Sequence, residues 1–366
     1  MFKEYKNKKV LITGHTGFKG SWLVTWLLNL GAEVAGFSDE IPTNPSHFDV
    51  LGLKNKIHHY FGDIRDYEKL LSVCKKFKPE IVFHLAAQPL VRKSYINPKI
   101  TFEVNVLGTL NVLEVLKEMK NEINASVIIT SDKAYENVEW IYGYKEDDKL
   151  GGDDPYSGSK GAAELIINSY IKSFFQDDSL YISVARAGNV IGGGDWAQDR
   201  IIPDSIISWS KSQTLKIRSP YATRPWQHVL EPLSGYLHLG IELLRKNNIC
   251  KNQAYNVGPD SNLNKTVEEL LLEMKKYWQS VKWKIDIPKE SNMKEAGLLK
   301  LTCDKINNHL KWYPTLDFSK TIEFTVKWYK NFYSNSNLDI YKLTSNQIKE
   351  YTKLAKEKQI KWTIMN

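Results

Sequence analysis

Two clusters in this chain carry side chains that can move protons. Tyr156 and Lys160, in DPYSGSK, stand four positions apart and would share one face of a helix. An ammonium beside a phenol favours the phenolate, and a phenol tuned toward working pH can take a proton from a hydroxyl. Thr130, Asp132 and Lys133, in TSDK, follow the apolar run ASVII. An apolar run that turns polar is what a buried parallel strand becomes at the rim of a site. A Tyr and a Lys at this spacing would be a chance pair by themselves. Their meaning comes from the strand end that precedes them and from the elements around both.

Those elements begin at Lys8 to Thr13 (KKVLIT), which reads as a strand. It runs into Gly14, Thr16, Gly17, Phe18, Lys19 and Gly20, and then into the helical pattern SWLVTWLLNL. Strand, glycine-rich turn and helix in that order let backbone N–H groups approach a pyrophosphate at a helix N-terminus. The spacing is G-x-x-G-x-x-G. Gly31 ends the helix, and Glu33 to Phe37 is a second strand. Ser38 and Asp39 stand at its exit, about twenty residues beyond Gly20, where a side chain meets an adenosine ribose. A carboxylate there repels a 2′-phosphate and so favours NAD over NADP. Later strand exits present Asp63 and Ile64, then Leu85, Ala86, Ala87 and Gln88, whose small alanines suit close approach of a ligand. His84 reads as a core histidine. Asn105 falls inside a helix expected over roughly 98–119, where it holds site backbone, holds a water or faces solvent. Strands and helices alternating at this rhythm predict an α/β chain built on a Rossmann-type doubly wound parallel sheet.

The chain has 366 residues, 42% of them apolar, with a formal charge of +8. No apolar run reaches the roughly 18 residues of a membrane span, and the N-terminus enters a strand directly without a signal-peptide core. Cys74, Cys250 and Cys303 lie far apart without metal-type spacing, which predicts free thiols, a cytoplasmic setting and no metal. The charge reads as a lysine-rich solvated surface, so neither nucleic acid nor membrane is an expected partner. The expected layout is a cofactor-binding unit with the catalytic residues over 1–190, a smaller α+β substrate lobe over 191–334 and a polar helical tail over 335–366. Segments of the lobe should return to the first sheet. The tail has candidate N-caps at Thr344 and Ser345 and is expected to pack on a partner subunit. Asn189, Arg200 and Arg224 are candidate donors to a diphosphate, since a guanidinium matches phosphate geometry. Gln227 and His228 follow Arg224 in RPWQH; His228 either touches the ligand or is structural, and Trp226 stacks on it or packs in the core.

The chain resembles the extended short-chain dehydrogenase/reductases that act on nucleotide sugars, and among them the 4,6-dehydratases of the CDP-glucose type. GHTGFKGSWL, GDIRD, PEIVFHLAAQPLVRKSY, NVLGT, TSDKAYEN, DPYSGSKGAAE, ARAGNVIGGGDWAQDR and RPWQHVLEPLSGYL carry the likeness from residue 14 to about 240, and it continues weakly to about 330. Ala134, Gly158 and Ala162 depart from the usual pattern. So do NMKEAGLLKL, with Lys294 and Gly297, and RSPYATRPWQH, which lie in the substrate lobe. The resemblance implies deoxysugar biosynthesis, as for lipopolysaccharide O-antigen. NAD would be the cofactor and an NDP-hexose the substrate, losing water across C5–C6 to give a 4-keto-6-deoxy sugar. It casts Tyr156 as base at the C4 hydroxyl, Lys160 as its charge partner and Thr130 as the group that orients the C4 oxygen. Asp132 would be the acid for the C6 hydroxyl, and Lys133 either the base at C5 or a stabilising charge. It also implies a homodimer built on helices near 98–119 and 156–173. A 4-epimerase on the same fold and a non-catalytic nucleotide sensor are the rival expectations.

Overall fold

The computed structural model describes residues 2–177, 179–260, 263–278, 281–286, 298–335 and 337–364. Lys294 and Gly297 lie outside the described residues. Seven of the chain's apolar runs pair into one parallel sheet: β1 (Lys9–Thr13), β2 (Glu33–Ser38), β3 (His58–Phe61), β4 (Ile81–His84), β5 (Ala125–Ser131), β6 (Tyr181–Ala187) and β7 (Gln253–Val257). Across the sheet they stand in the order β7-β6-β5-β4-β1-β2-β3, every neighbouring pair parallel. The inner strands β1, β4, β5 and β6 bury both faces, so their alternate residues serve alternate cores. Val10, Ile12, Val127 and Ile129 pack in one layer; Leu11 and Ile128 pack in the other. Strand order reverses between β1 and β4, and the crevice beyond their carboxyl ends is where such sheets hold ligands.

Helices α1 (Phe18–Asn29) and α3 (Leu230–Leu244) fill the first layer, with α2 (Pro155–Phe174) in the second. The start of α2 is fixed locally. Asp154 caps it by accepting from the Ser157 N–H at 3.0 Å, and Pro155 occupies its first position. The helix expected over 98–119 is interrupted. Pro98–Phe102 is α-helical, Glu103–Leu107 is a π-helical turn, and Gly108–Glu118 resumes the α-helix.

Beyond residue 190 the chain forms three small ribbons: Val190–Ile191 with Gln227–His228, Thr223–Arg224 with Lys265–Thr266, and Leu215–Ile217 with Trp283–Ile285. The same stretch contributes α3 and β7 to the main sheet, so it returns to the sheet twice. No described helix is long and apolar enough to cross a membrane.

The C-terminal stretch differs from expectation in where its helix begins. Its helix α5 (Ile340–Glu357) starts earlier, capped by Asp339, because Ile340, Tyr341 and Leu343 already belong to its apolar face. Thr344 is instead buried, accepting from the Trp328 indole N–H at 3.0 Å, where Trp328 lies on α4 (Phe318–Ser334). And α5 packs on α1 of its own chain. Tyr351 meets Trp26 edge-on, and Trp362 stacks on Phe2 at 4.9 Å. Tyr351 also donates its hydroxyl to the buried Glu231 carboxylate at 2.8 Å, and the Thr315 and Leu316 N–H groups donate to the same carboxylate. Tyr351→Phe deletes one donor to a buried carboxyl and should cost about 1–3 kcal/mol in urea unfolding. A loss under about 0.5 kcal/mol would mean that ring packing alone docks α5.

Candidate active site

The glycine turn lies in the crevice between β1 and β4. Gly14 adopts φ +75°, and a Cβ there would come within 2.7 Å of the Ala86 nitrogen. A Cβ on Gly20 would come within 2.2 Å of the Gly14 oxygen, so the first turn of α1 presses onto the loop. Gly17 is the N-cap of α1 and has no side-chain cap. The first-turn amides therefore point into the crevice without a protein partner at the cap, as an anion site requires. Thr16 is turned away, its hydroxyl donating to the Glu40 carbonyl at 2.6 Å. Ser38 is buried against the His15 ring at 3.0 Å, whereas Asp39 is exposed at the β2 exit. Asp63 is held by Arg65 at 2.6 Å, which pulls its carboxyl below the usual range; Ile64 packs under Gly108.

Leu85, Ala86 and Ala87 line the β4 exit and are half-buried. His84 is a core residue bridging Thr13 (2.7 Å) and Thr109 (3.2 Å). Asn105 takes the first of its three expected forms. The π turn brings it inward, where it accepts from the Gln88 N–H (2.8 Å) and donates to the Gln88 carbonyl (3.2 Å) and to Ser159 (2.9 Å). Ser159 in turn donates to the Tyr156 carbonyl at 2.7 Å. One buried amide thus ties the β4 exit to the helix that carries Tyr156 and Lys160.

At the β5 exit the structure reorders the sequence-based roles. Thr130 faces the second layer, where its hydroxyl donates to buried Glu164. It does not face Tyr156. The adjacent Ser131, on the opposite side of the strand, does: its hydroxyl acts directly on the Tyr156 phenol. Ser131 also donates to Asp132 Oδ1 at 2.9 Å and caps the Asp132–Ala134 turn by accepting from the Lys133 N–H at 3.2 Å. Ser131 was legible as the residue abutting Asp132, but a strand buried on both faces does not declare which side is which. Asp132 is buried, and burial raises its pKa against the opposing charges of Lys133 and Arg224. Lys133 is half-buried, and its ammonium forms no ion pair with Asp132 or any other carboxylate among the described residues.

Burial pushes Tyr156 up to about 12, and the Asp132 charge adds to the rise; Ser131 and the Arg200 guanidinium act the other way. The expectation that Lys160 lowers this phenol is therefore outweighed by desolvation, and the cation acting on it is Arg200. Lys160 itself is pushed down to about 8 by burial, opposed by Glu164 one turn along α2. Lys19 reaches from the glycine turn into the same space, its ammonium 3.3 Å from the Tyr236 hydroxyl on α3. Burial together with Lys160 and Arg200 lowers it to about 8.

The substrate-lobe candidates divide. Arg200 pairs with Asp195 at 2.8 Å and is about a third exposed (34%). Arg224 donates to the Thr223 carbonyl at 2.8 Å and its charge reaches Asp132. Asn189 is exposed at the crevice side of β6. Gln227 and His228 are not at the site. Both are buried: Gln227 donates to the Val257 carbonyl at 3.3 Å, and His228 caps the Leu230 N–H at 3.3 Å between Trp22 and Phe324. Trp226 is buried as well and donates to the Lys265 carbonyl at 3.0 Å.

A glycine turn, a Tyr–Lys helix start and an acidic strand exit meet in one crevice. Residues 11–325 match the GDP-mannose 4,6 dehydratase family. The chain belongs to this family. A CDP-glucose 4,6-dehydratase of Salmonella typhimurium is 47% identical over 332 residues, which cover 89% of this chain and 91% of that protein. Among solved structures, an epimerase from Methanothermobacter thermautotrophicus superposes with a TM-score of 0.77 at 25% identity, covering 90% of this chain and 95% of that one. A dTDP-glucose 4,6-dehydratase from Bacillus anthracis in complex with NAD gives a TM-score of 0.71 at 22% identity, covering 88% and 97%. The fold is that of the extended short-chain dehydrogenase/reductases.

The electrostatics of the crevice yield a direct measurement. In the protein without cofactor, the near-ultraviolet difference between wild type and Tyr156→Phe should stay flat up to about pH 10, because burial holds this phenol un-ionised. A phenolate step belonging to Tyr156 below that pH would show that a cation overrides burial.

Proposed function

We propose that the protein is an NAD-dependent NDP-hexose 4,6-dehydratase acting on CDP-glucose. The 47% identity to a CDP-glucose 4,6-dehydratase supports the reaction and the base. The observation that carries the chemistry is the Ser131–Asp132–Lys133 turn set against Tyr156. A 4-epimerase needs one acid/base group at C4; this crevice holds an acid and an amine besides the phenol.

The crevice fits NAD. The uncapped first turn of α1 offers amides to the pyrophosphate, with Gly14, Gly17 and Gly20 permitting the approach. Ser38 and Asp39 would hold the adenosine ribose, Asp63 and Ile64 the adenine, and Leu85 to Gln88 the far half, with Tyr156 and Lys160 at its ribose. When bound, NAD supplies what these side chains lack, accepting a hydride from C4 and returning it at C6.

Tyr156 takes the C4 hydroxyl proton while Ser131, in place of Thr130, orients the C4 oxygen. Lys160 and Arg200 supply the positive charge that a buried phenolate requires. A C4 ketone makes the C5 proton acidic. Lys133 either removes that proton as a neutral amine or holds charge against the enolate. Burial favours the protonated form of Asp132, the form that gives a proton to the departing C6 hydroxyl. Arg200, Arg224 and Asn189 face the diphosphate. Free, buried Cys74, Cys250 and Cys303 suit a cytoplasmic enzyme.

Incubation with CDP-glucose and other NDP-glucoses, read by alkali-induced absorbance of a 4-keto sugar, tests the assignment; a C4 epimer as sole product would replace it. The two halves of the reaction should also separate by mutation. Asp132→Asn and Lys133→Met should still give the absorbance of reduced cofactor in single-turnover mixing, while 4-keto-6-deoxy product falls by roughly 10²–10⁴. If Lys133 is the base, solvent deuterium exchange at C5 vanishes in Lys133→Met and survives in Asp132→Asn. Undiminished product in both variants would remove this couple from the mechanism.

The assembly we propose is a homodimer. Ile100, Phe102, Leu107 and Leu165 are exposed on the helical stretch 98–118 and on α2, which pack side by side. Leu165→Glu should shift sedimentation from dimer to monomer, and an unshifted dimer would place the interface elsewhere.

A further inference from the structure

We infer that Thr130, Glu164, Arg186 and Tyr135 form one positioning unit that holds the Asp132–Ala134 turn for the elimination step; this rests on the dehydratase reading. The unit begins as a row across the sheet. Register places Thr130 of β5 beside Arg186 of β6, and Arg186 beside Asn256 of β7. All three side chains are buried, as is Glu164. The Arg186 guanidinium binds Glu164 through two bonds, Nε to Oε1 at 2.9 Å and Nη2 to Oε2 at 3.0 Å, and the Thr130 hydroxyl donates to the same Oε1. The remaining Arg186 nitrogen, Nη1, donates to the Tyr135 hydroxyl at 2.8 Å and to the Glu146 carbonyl at 2.7 Å. Tyr135 donates onward to Asn256 Oδ1 at 2.7 Å, and its ring lies under the guanidinium at 4.9 Å.

The turn carrying Asp132 and Lys133 is thus bracketed. Thr130 lies just before it and Tyr135 just after it, and both are anchored to one guanidinium–carboxylate pair. Thr130, Arg186 and Tyr135 bond only within this row and its neighbours, and Glu164 acts on the crevice only through the charge of Lys160, so these are positioning residues. Desolvating two charges costs several kcal/mol per ion before any pairing, and apolar replacements of equal volume are often as stable. Stability is therefore a poor account of the pair. What a fork-to-fork contact does supply is fixed geometry, and an acid and a base displaced by about 0.5–1 Å lose much of their effect. Tyr156 is held separately, by the α2 cap and by the Ser94 hydroxyl that accepts from its N–H at 3.1 Å. Disturbing the bracket should therefore affect elimination before oxidation.

Two near-isosteric variants test this. Tyr135→Phe keeps the ring and removes the anchor after the turn; Thr130→Val keeps the volume and removes the anchor before it. In NAD-loaded protein mixed with CDP-glucose in a single turnover, each should slow 4-keto-6-deoxy product formation by about 10–100-fold. Oxidation at C4 should stay within about threefold of wild type, so reduced cofactor accumulates. A generally loosened protein would lose both steps together, leaving their ratio at the wild-type value. That ratio, unchanged in both variants while wild type forms product, would overturn the positioning unit alone. Wild type that forms no 4-keto product would overturn the dehydratase reading and this inference with it. Should Tyr135→Phe fail to fold, the ratio in Thr130→Val decides.

Discussion

A strand buried on both faces imposes one constraint on everything at its exit: neighbouring side chains must point to opposite cores. At the end of β5 that alternation sends Thr130 toward Glu164 and Arg186 and sends Ser131 toward Tyr156. The two hydroxyls are chemically similar and one residue apart, yet one lies in a buried ionic network and the other in the crevice. A one-residue slip of β5 would exchange them, lifting Thr130 out of its row with Arg186 and turning the Asp132–Ala134 turn away from α2. The site therefore depends on the register of the middle of the sheet, and that register is fixed by the apolar residues Val127, Ile128 and Ile129 in their two layers.

Much of this was legible in sequence because it is encoded in local chemistry. The glycine turn requires a positive φ at Gly14 and the missing Cβ of Gly20, and no other residue type would satisfy the contacts found there. Asp154 and Pro155 mark the start of α2 to the residue and so deliver Tyr156 into its first turn. The doubly wound sheet followed from alternating apolar and amphipathic runs. What sequence did not disclose was orientation. ASVIITS is polar only at Ser126 and at its closing Thr130–Ser131, so its pattern does not tell one face from the other, and Thr130 was chosen over Ser131. RPWQH reads as a run of polar donors. Yet Gln227 and His228 sit in a two-residue strand folded into the core, and only Arg224 points toward Asp132. Asn105 could be seen to be misplaced in a helix, but the π turn that gives it a task depends on contacts with Gln88 and Ser159 from distant parts of the chain. The tail was recognisable as a helix; that it docks on α1 and α3 depends on Tyr351 finding Trp26 and Glu231, the latter 120 residues away in sequence.

The charges in the crevice are arranged against one another until a ligand arrives. Lys19, Lys160 and Arg200 crowd the space near Tyr156; burial brings both lysines down to about 8, and repulsion from Lys160 and Arg200 adds to the fall at Lys19. The phenol is pushed the opposite way, to about 12. Separately these shifts look unfavourable for catalysis, since the base resists losing its proton and the lysines hold theirs loosely. Together they describe a site short of negative charge. Under the proposed reading, a nucleotide diphosphate brings that charge, and anions close to the lysines raise their affinity for protons. Fully charged cations then stabilise the phenolate at Tyr156 and the enolate that forms on oxidation. Asp132 answers to a different term: its pKa is raised by burial, and it sits against Ser131 in a turn held from behind. Burial favours the protonated form of the acid, while under this reading the base becomes competent because the site fills with charge. Two groups a few residues apart can thus serve opposite roles in one crevice.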